Sequence, residues 1–257
     1  MEEHIEFIAR CIEKYKSRCI EKMNGYIALL GSGEYLSVMD EVDKFLLANC
    51  GAKDRKPKVV CLPTAAGQES DASVNRWMKM GVDHFTRLGA DVQAVPVTDK
   101  ESADEQKHAS AVEEADVVYF SGGSPLYLYE TMKDSLVWKS AMKAFERGGV
   151  YAGCSAGAMI LGKEMPNFRM LGLNNVSAFG YVPAVIIPHF DATPMLFKPI
   201  INAARSRLKE NDLMIGIDDN TAMVGRNGEW TVMGKSGVHV FTKNNSKSYA
   251  VGEKFNL

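Results

Sequence analysis

The stretch Gly148-Gly149-Val150-Tyr151-Ala152-Gly153-Cys154-Ser155-Ala156-Gly157-Ala158-Met159-Ile160-Leu161-Gly162 decides how this chain is read. Val150, Tyr151 and Ala152 form a short apolar run that predicts a buried strand. The run enters a Gly-x-Ser-x-Gly pentapeptide at 153–157 and leaves as a small-residue segment of helical character. A strand that turns into a helix at a serine is a nucleophile elbow. The serine backbone is forced there into a sparsely allowed conformation, and glycines flank it because a Cβ would collide with the neighbouring strand or helix. The turn lifts the Ser155 hydroxyl clear of the sheet and aims the first free N–H groups of the helix, beginning at Ala156, at whatever the serine attacks.

Outward from the elbow, apolar runs alternate with helical periodicity. Residues 26–34, Tyr26-Ile27-Ala28-Leu29-Leu30-Gly31-Ser32-Gly33-Glu34, read as a strand buried on both faces and closed by a glycine turn. That turn lacks the third glycine of a dinucleotide fingerprint, and the chain has no lysine-bearing phosphate loop. Strands are also predicted at 58–65, 92–97 and 116–120, with helices at about 38–49, 71–88, 103–114 and one running from Pro125 to about Arg147. The pattern predicts an α/β fold, a three-layer sandwich around a mostly parallel sheet with right-handed crossovers. Loops at 31–34, 64–67 and 121–124 should then share one rim with Ser155, at the carboxyl ends of the strands. Beyond the elbow, 163–181 reads as irregular or short strands, 184–190 as a strand running into a turn and 195–210 as a helix. Strands at 214–224, 229–233 and 238–241 form a partly antiparallel extension.

With 257 residues and a net charge of −2, the chain can bury a full core and carries no basic stripe, which argues against nucleic acid and anionic membranes as partners. No apolar run approaches the roughly 20 residues that cross a bilayer. Five scattered cysteines show neither metal-ligand spacing nor a disulfide framework and fit a reducing cytoplasm. The opening Met1-Glu2-Glu3-His4 predicts no secretory or transit peptide. No metal site or cofactor loop is expected. Residues 4–23 place Ile5, Ile8, Ile12, Tyr15, Cys19 and Met23 at steps of three and four, an amphipathic helix whose stripe calls for burial on the main domain or at a homodimer contact. The expected organisation is a helical extension at 1–24 and a single α/β hydrolytic domain at 25–257.

A serine nucleophile needs a base, and the base needs an orienting acid. Of five histidines, His189 is the one that ends an apolar strand and follows Ser155 in chain order. Carboxylates are scarce nearby: Glu164 lies between serine and histidine, and Asp191, Asp218 and Asp219 follow. Asp218 and Asp219 close the apolar run 214–217, and Asp219 is placed ahead of Asp218 for the third role.

Gly122-Gly123-Ser124-Pro125, Gly153-Cys154-Ser155-Ala156-Gly157-Ala158, Pro188-His189-Phe190 and Gly216-Ile217-Asp218-Asp219-Asn220-Thr221-Ala222 together resemble the serine peptidases of the dipeptidase E and cyanophycinase family. Leu62-Pro63-Thr64-Ala65 also fits, so the resemblance spans about residues 25–240. It implies a flavodoxin-like sheet related to class I glutamine amidotransferases, with serine in place of cysteine at the elbow. It also implies hydrolysis of small peptides at aspartyl or β-aspartyl linkages. Carried onto matching positions, it makes Ser155 the nucleophile, His189 the base, and the N–H groups of Gly123 and Ala156 the oxyanion hole. The chain departs from the family pattern in two places. The segment midway between serine and histidine, Met170-Leu171-Gly172-Leu173-Asn174-Asn175, holds no acid, and Asp219 stands where Glu is frequent. Glu164, Asp218 and Asn174 therefore stay open beside Asp219. A pocket for an aspartyl carboxylate needs a fixed cation, and Arg169 is the expected one, ahead of Lys198 and Arg205. Two other readings are a catalytically silent binding protein on the same scaffold and an amidase or amidotransferase-like enzyme.

Overall fold

Alternation of side chains along the strands sets the layers. The computed structural model describes residues 24–167, 175–192 and 198–257, and the helix expected at 4–23 lies outside them. In β1 (Ile27–Leu30), Ala28 and Leu30 enter one apolar cluster while Ile27 and Leu29 enter another. β4 (Val117–Phe120) divides the same way, and in β5 (Val150–Cys154) Tyr151 opposes Val150, Ala152 and Cys154. Successive strand residues face opposite sides, so two clusters mean a sheet covered on both faces. Helices α1 (Asp40–Asn49) and α2 (Asp71–Arg87) close one face through Val42, Leu46 and Phe85. The other face is closed by α3 (Lys100–Ala103), α4 (Gln106–Glu113), α5 (Pro125–Met132) and α6 (Leu136–Glu146), through Ala103, Val112, Leu128 and Phe145.

The central sheet has eight strands in the order β14 (Lys254–Asn256), β11 (Glu229–Gly234), β10 (Thr221–Arg226), β1, β5, β4, β2 (Lys58–Leu62), β3 (Asp91–Ala94). β1, β5, β4, β2 and β3 run parallel, and β10, β11 and β14 extend them antiparallel. This is the mostly parallel α/β sandwich that the alternating pattern calls for. Parallel register sets Leu30 beside Cys154 and Phe120 beside Gly153, so the loops after β1, β4 and β5 leave from one rim. The elbow helix α7 (Ala156–Met159) follows, then an antiparallel ribbon of β6 (Glu164–Pro166) and β7 (Asn175–Ser177). A second sheet is ordered β13 (Ser246–Ala250), β12 (Gly237–Phe241), β9 (Leu213–Ile217), β8 (Ala184–Ile187), with α8 (Lys198–Ser206) between β8 and β9.

Several boundaries differ from the sequence reading. The helix expected from 125 to 147 is two helices, because Asp134 takes a left-handed φ of 65° and the Ser135 hydroxyl accepts the Trp138 N–H at 3.0 Å, starting α6 afresh. The helix expected at 103–114 starts later, at Gln106, and a separate short helix, α3, precedes it, begun by a capping box of Asp99 and Ser102. The strand expected over 214–224 divides between sheets. β9 pairs with β12 in the small sheet and β10 with β1 in the large one, and the turn between them carries Asp218, Asp219 and an Asn220 at φ 54°. The polar run Asp218-Asp219-Asn220 marks the turn, and the pairing partners assign the two strands to different sheets.

Candidate active site

Ser155 stands at the end of β5 with φ 49° and ψ −105°, outside the ordinary regions for a residue with a side chain. The backbone is held there from both sides: the Ser155 N–H donates to Leu30 O at 3.0 Å, and the Ser155 carbonyl accepts from Ala158 and Met159. Close packing requires the flanking glycines. A Cβ on Gly157 would sit 2.5 Å from Phe120 O, and one on Gly153 would strike the Gly157 carbonyl. The elbow read from the sequence is therefore an elbow in space.

His189 follows β8 after one proline and also takes a left-handed φ, 52°. Its Nε2 lies 3.1 Å from Ser155 Oγ, and its Nδ1 lies 2.7 Å from Asp219 Oδ1. Both contacts are within hydrogen-bonding distance. Asp219 is itself fastened, since its N–H donates to Asp191 Oδ1 at 2.7 Å, and the next N–H, of Asn220, donates to Ser32 Oγ at 3.0 Å. Serine, histidine and aspartate thus form one chain of contacts with side chains from the central rim, the turn after β8 and the turn after β9.

Of the alternatives for the third position, Asp218 is turned away. It is 4% exposed; its Oδ2 accepts Ser236 Oγ at 2.6 Å and Gly237 N–H at 3.1 Å, and its Oδ1 lies 3.0 Å from His239 Nε2. Glu164 is engaged on the β6–β7 ribbon, accepting from Asn175 Nδ2 at 3.1 Å. Asn174 and Arg169 lie outside the described residues. Arg205, another candidate cation, stacks over the Phe241 ring at 4.9 Å.

Gly123 has φ +141°, and a Cβ there would strike the Ala65 carbonyl, so the loop after β4 is shaped by a glycine that no other residue replaces without strain. No acceptor takes the Gly123 or Ala156 N–H among the described residues. The preceding residue, Gly122, lies beside the serine: a Cβ on it would be 3.3 Å from Ser155 Cβ and 3.8 Å from Ser155 Oγ.

Two polar groups near the serine were not assigned from the sequence. Asp191 is one, through its bond to the Asp219 backbone. Glu34 is the other: buried at 8% exposure, it accepts Gly122 N–H on Oε1 at 3.0 Å and Cys154 Sγ on Oε2 at 2.9 Å. The usable signal for Glu34 was its place as the lone acid in the glycine turn after the first strand. Cys154 is fully buried, and burial first, then the neighbouring Glu34 charge, pushes its thiol well above the usual range. A thiol so held is not a nucleophile at neutral pH.

Residues 27–233 match the model of peptidase family S51. The crystal structure of a peptidase from an acI-B1 actinobacterium aligns with a TM-score of 0.83 at 34% identity, covering 92% of this chain and 98% of that one. A crystal structure of a putative peptidase E protein from Listeria monocytogenes EGD-e shares the fold at a TM-score of 0.60 and 20% identity, over 82% of this chain and 99% of that one. Among curated proteins none matches. No helix among the described residues is long and apolar enough to cross a membrane. With a family match over most of its length and an elbow serine at the rim of the sheet, the chain belongs to peptidase family S51 and is a serine peptidase.

Proposed function

We propose that Ser155, His189 and Asp219 are the nucleophile, base and orienting acid of this peptidase, and that the N–H groups of Gly123 and Ala156 receive the oxyanion. The carrying observation is the continuous contact from Ser155 Oγ through His189 to Asp219 Oδ1, at 3.1 and 2.7 Å. Asp219 accepts a hydrogen bond from His189 Nδ1–H, which holds the tautomer whose Nε2 lone pair faces the serine hydroxyl. Ser155 Oγ attacks the scissile carbonyl carbon as its proton passes to Nε2, and the carbonyl oxygen gathers charge opposite the two free N–H groups. His189 returns the proton to the departing amine, leaving an acyl group on Ser155. A water, deprotonated by the same Nε2, then attacks the acyl carbon, and His189 returns that proton to Ser155 Oγ as the ester bond breaks and the acid leaves.

The substrate class we infer is small aspartyl or β-aspartyl peptides, supported by the resemblance to the dipeptidase E and cyanophycinase family, with Arg169 as the proposed carboxylate partner. Residues 25–257 are proposed as one catalytic unit, since the serine leaves the large sheet while the histidine ends a strand of the small one. Free, buried Cys50, Cys61 and Cys154 favour a reducing, cytoplasmic setting. The test is labelling with a fluorophosphonate probe followed by a screen of α- and β-aspartyl dipeptides. Stoichiometric labelling that disappears in Ser155→Ala is expected. Equal turnover of dipeptides without aspartate overturns the substrate class and leaves the serine assignment standing.

A further inference from the structure

The glycine turn after β1 has no part in the triad, yet its residues reach across the whole rim. A Cβ on Gly31 would strike the Asp218 carbonyl, Ser32 Oγ takes the Asn220 N–H, and a Cβ on Gly33 would lie 2.6 Å from Asn220 Oδ1. At the end of this turn, Glu34 reaches the two strands that supply the rest of the site. Its Oε1 accepts the Gly122 N–H at the end of β4, and its Oε2 accepts the Cys154 thiol at the end of β5. Gly122 precedes Gly123, and Cys154 precedes Ser155.

We propose that Glu34 is a positioning residue that fixes the spacing of the oxyanion hole. The inference rests on the assignment of Ser155 and of the Gly123 and Ala156 donors. Three observations carry it. Each carboxylate oxygen is used on a different strand, so the side chain spans the gap between the loop that bears one donor and the elbow that bears the other. The Gly122 bond fixes the peptide immediately before the one that carries the Gly123 N–H, on a loop in which Gly123 takes φ +141°. Finally, Glu34 is buried at 8% exposure with no cationic partner among the described residues. Both of its oxygens serve as acceptors there, so burial of the side chain is matched by the bonds to the loop and the elbow. Two preorganised donors aimed at the developing oxyanion need this rigidity, because a donor displaced from the charge stabilises the transition state little.

The two acceptor oxygens do the positioning. Purified full chain, E34A, E34Q and S155A are compared in steady-state hydrolysis of p-nitrophenyl acetate, with circular dichroism as a check of folding. The expected result for E34A is a kcat lowered about 100-fold, the size of losing one oxyanion donor, with KM within about threefold of the parent. E34Q, which keeps one oxygen for the Gly122 N–H, recovers at least tenfold of that loss. A folded E34A with kcat within threefold of the parent overturns the proposal, as does E34Q no more active than E34A. If E34A does not fold, E34D takes its place, since it keeps the charge and withdraws the acceptors by one methylene: a kcat loss at constant KM supports positioning, and an unchanged kcat overturns it. S155A separates the two levels. Persistent turnover in S155A removes the nucleophile assignment itself, whereas an inactive S155A beside a fully active E34A removes only the role of Glu34.

Discussion

Two adjacent aspartates illustrate how far a residue's neighbours in space decide its role. Asp219 meets His189 Nδ1 at 2.7 Å, whereas Asp218 satisfies a hydroxyl, an N–H and an imidazole inside the protein. Replacing Asp219 by Asn keeps the shape and removes the preference for the Nδ1 tautomer, so kcat is expected to fall about 10³- to 10⁴-fold while the melting temperature stays put. Replacing Asp218 by Ala leaves buried donors unpaired and is expected to cost stability, roughly 1–3 kcal/mol for each orphaned group. Parallel kinetics and thermal melts on the two variants check the division, and a stable, active Asp219→Asn would return the third role to another residue. Ser155 and His189 were legible because glycine spacing and a strand-ending histidine are local signals. The choice between Asp218 and Asp219 was not, since both belong to one turn and only its direction tells which carboxylate faces the histidine.

At the level of elements, helix starts are set by single side chains. The break between α5 and α6 depends on the Ser135 hydroxyl, which is fully buried and accepts the Trp138 N–H. Ser135→Ala should lower stability by about 1 kcal/mol. That corresponds to a fall of about 2–4 °C in Tm for a chain of this size, read by calorimetry, with turnover unaffected. The elbow responds differently. At Gly157 a methyl group would meet Phe120 O at 2.5 Å, so Gly157→Ala must push the serine turn away from β4. Fluorophosphonate labelling is expected to slow at least tenfold, and unchanged labelling would show that the turn tolerates the displacement. Amphipathic periodicity marked the helical segments, but it did not register the three-residue interruption, Lys133 to Ser135, between α5 and α6.

On the scale of the molecule, the end of the sheet away from the site is tied by charge. Burial pushes the Asp116 carboxyl up, but the Arg55 guanidinium, bonded to its two oxygens at 2.5 and 2.7 Å, and the Lys58 N–H at 2.8 Å together hold it below the usual carboxylate range. A carboxyl whose folded pKa is depressed contributes stability that is fully present above its unfolded value, about 4, and is lost as pH falls through the folded one. Arg55 is half exposed, so the loss in Asp116→Asn is discounted for screening to a Tm fall of roughly 3–6 °C at pH 7. The acid limb of Tm between pH 5 and 3 should flatten in the same variant, and an unaltered limb would assign the acid sensitivity elsewhere. Asp43 works in the opposite sense, because burial holds its carboxyl high despite the His84 partner, so its contribution is lost as pH rises through its folded pKa. By itself the sequence determined the parallel core and the strand-to-helix turn at Ser155, and it singled out His189 as the base to propose, because strand alternation and glycine-forced turns are encoded within a few residues of each other. Only the tertiary structure divided 214–224 between two sheets, turned Asp219 rather than Asp218 toward His189, and brought Glu34 to Gly122 and Cys154. Those outcomes depend on which strands pair and which loops meet across 88 or 120 residues of chain, and no local pattern specifies contacts at that separation.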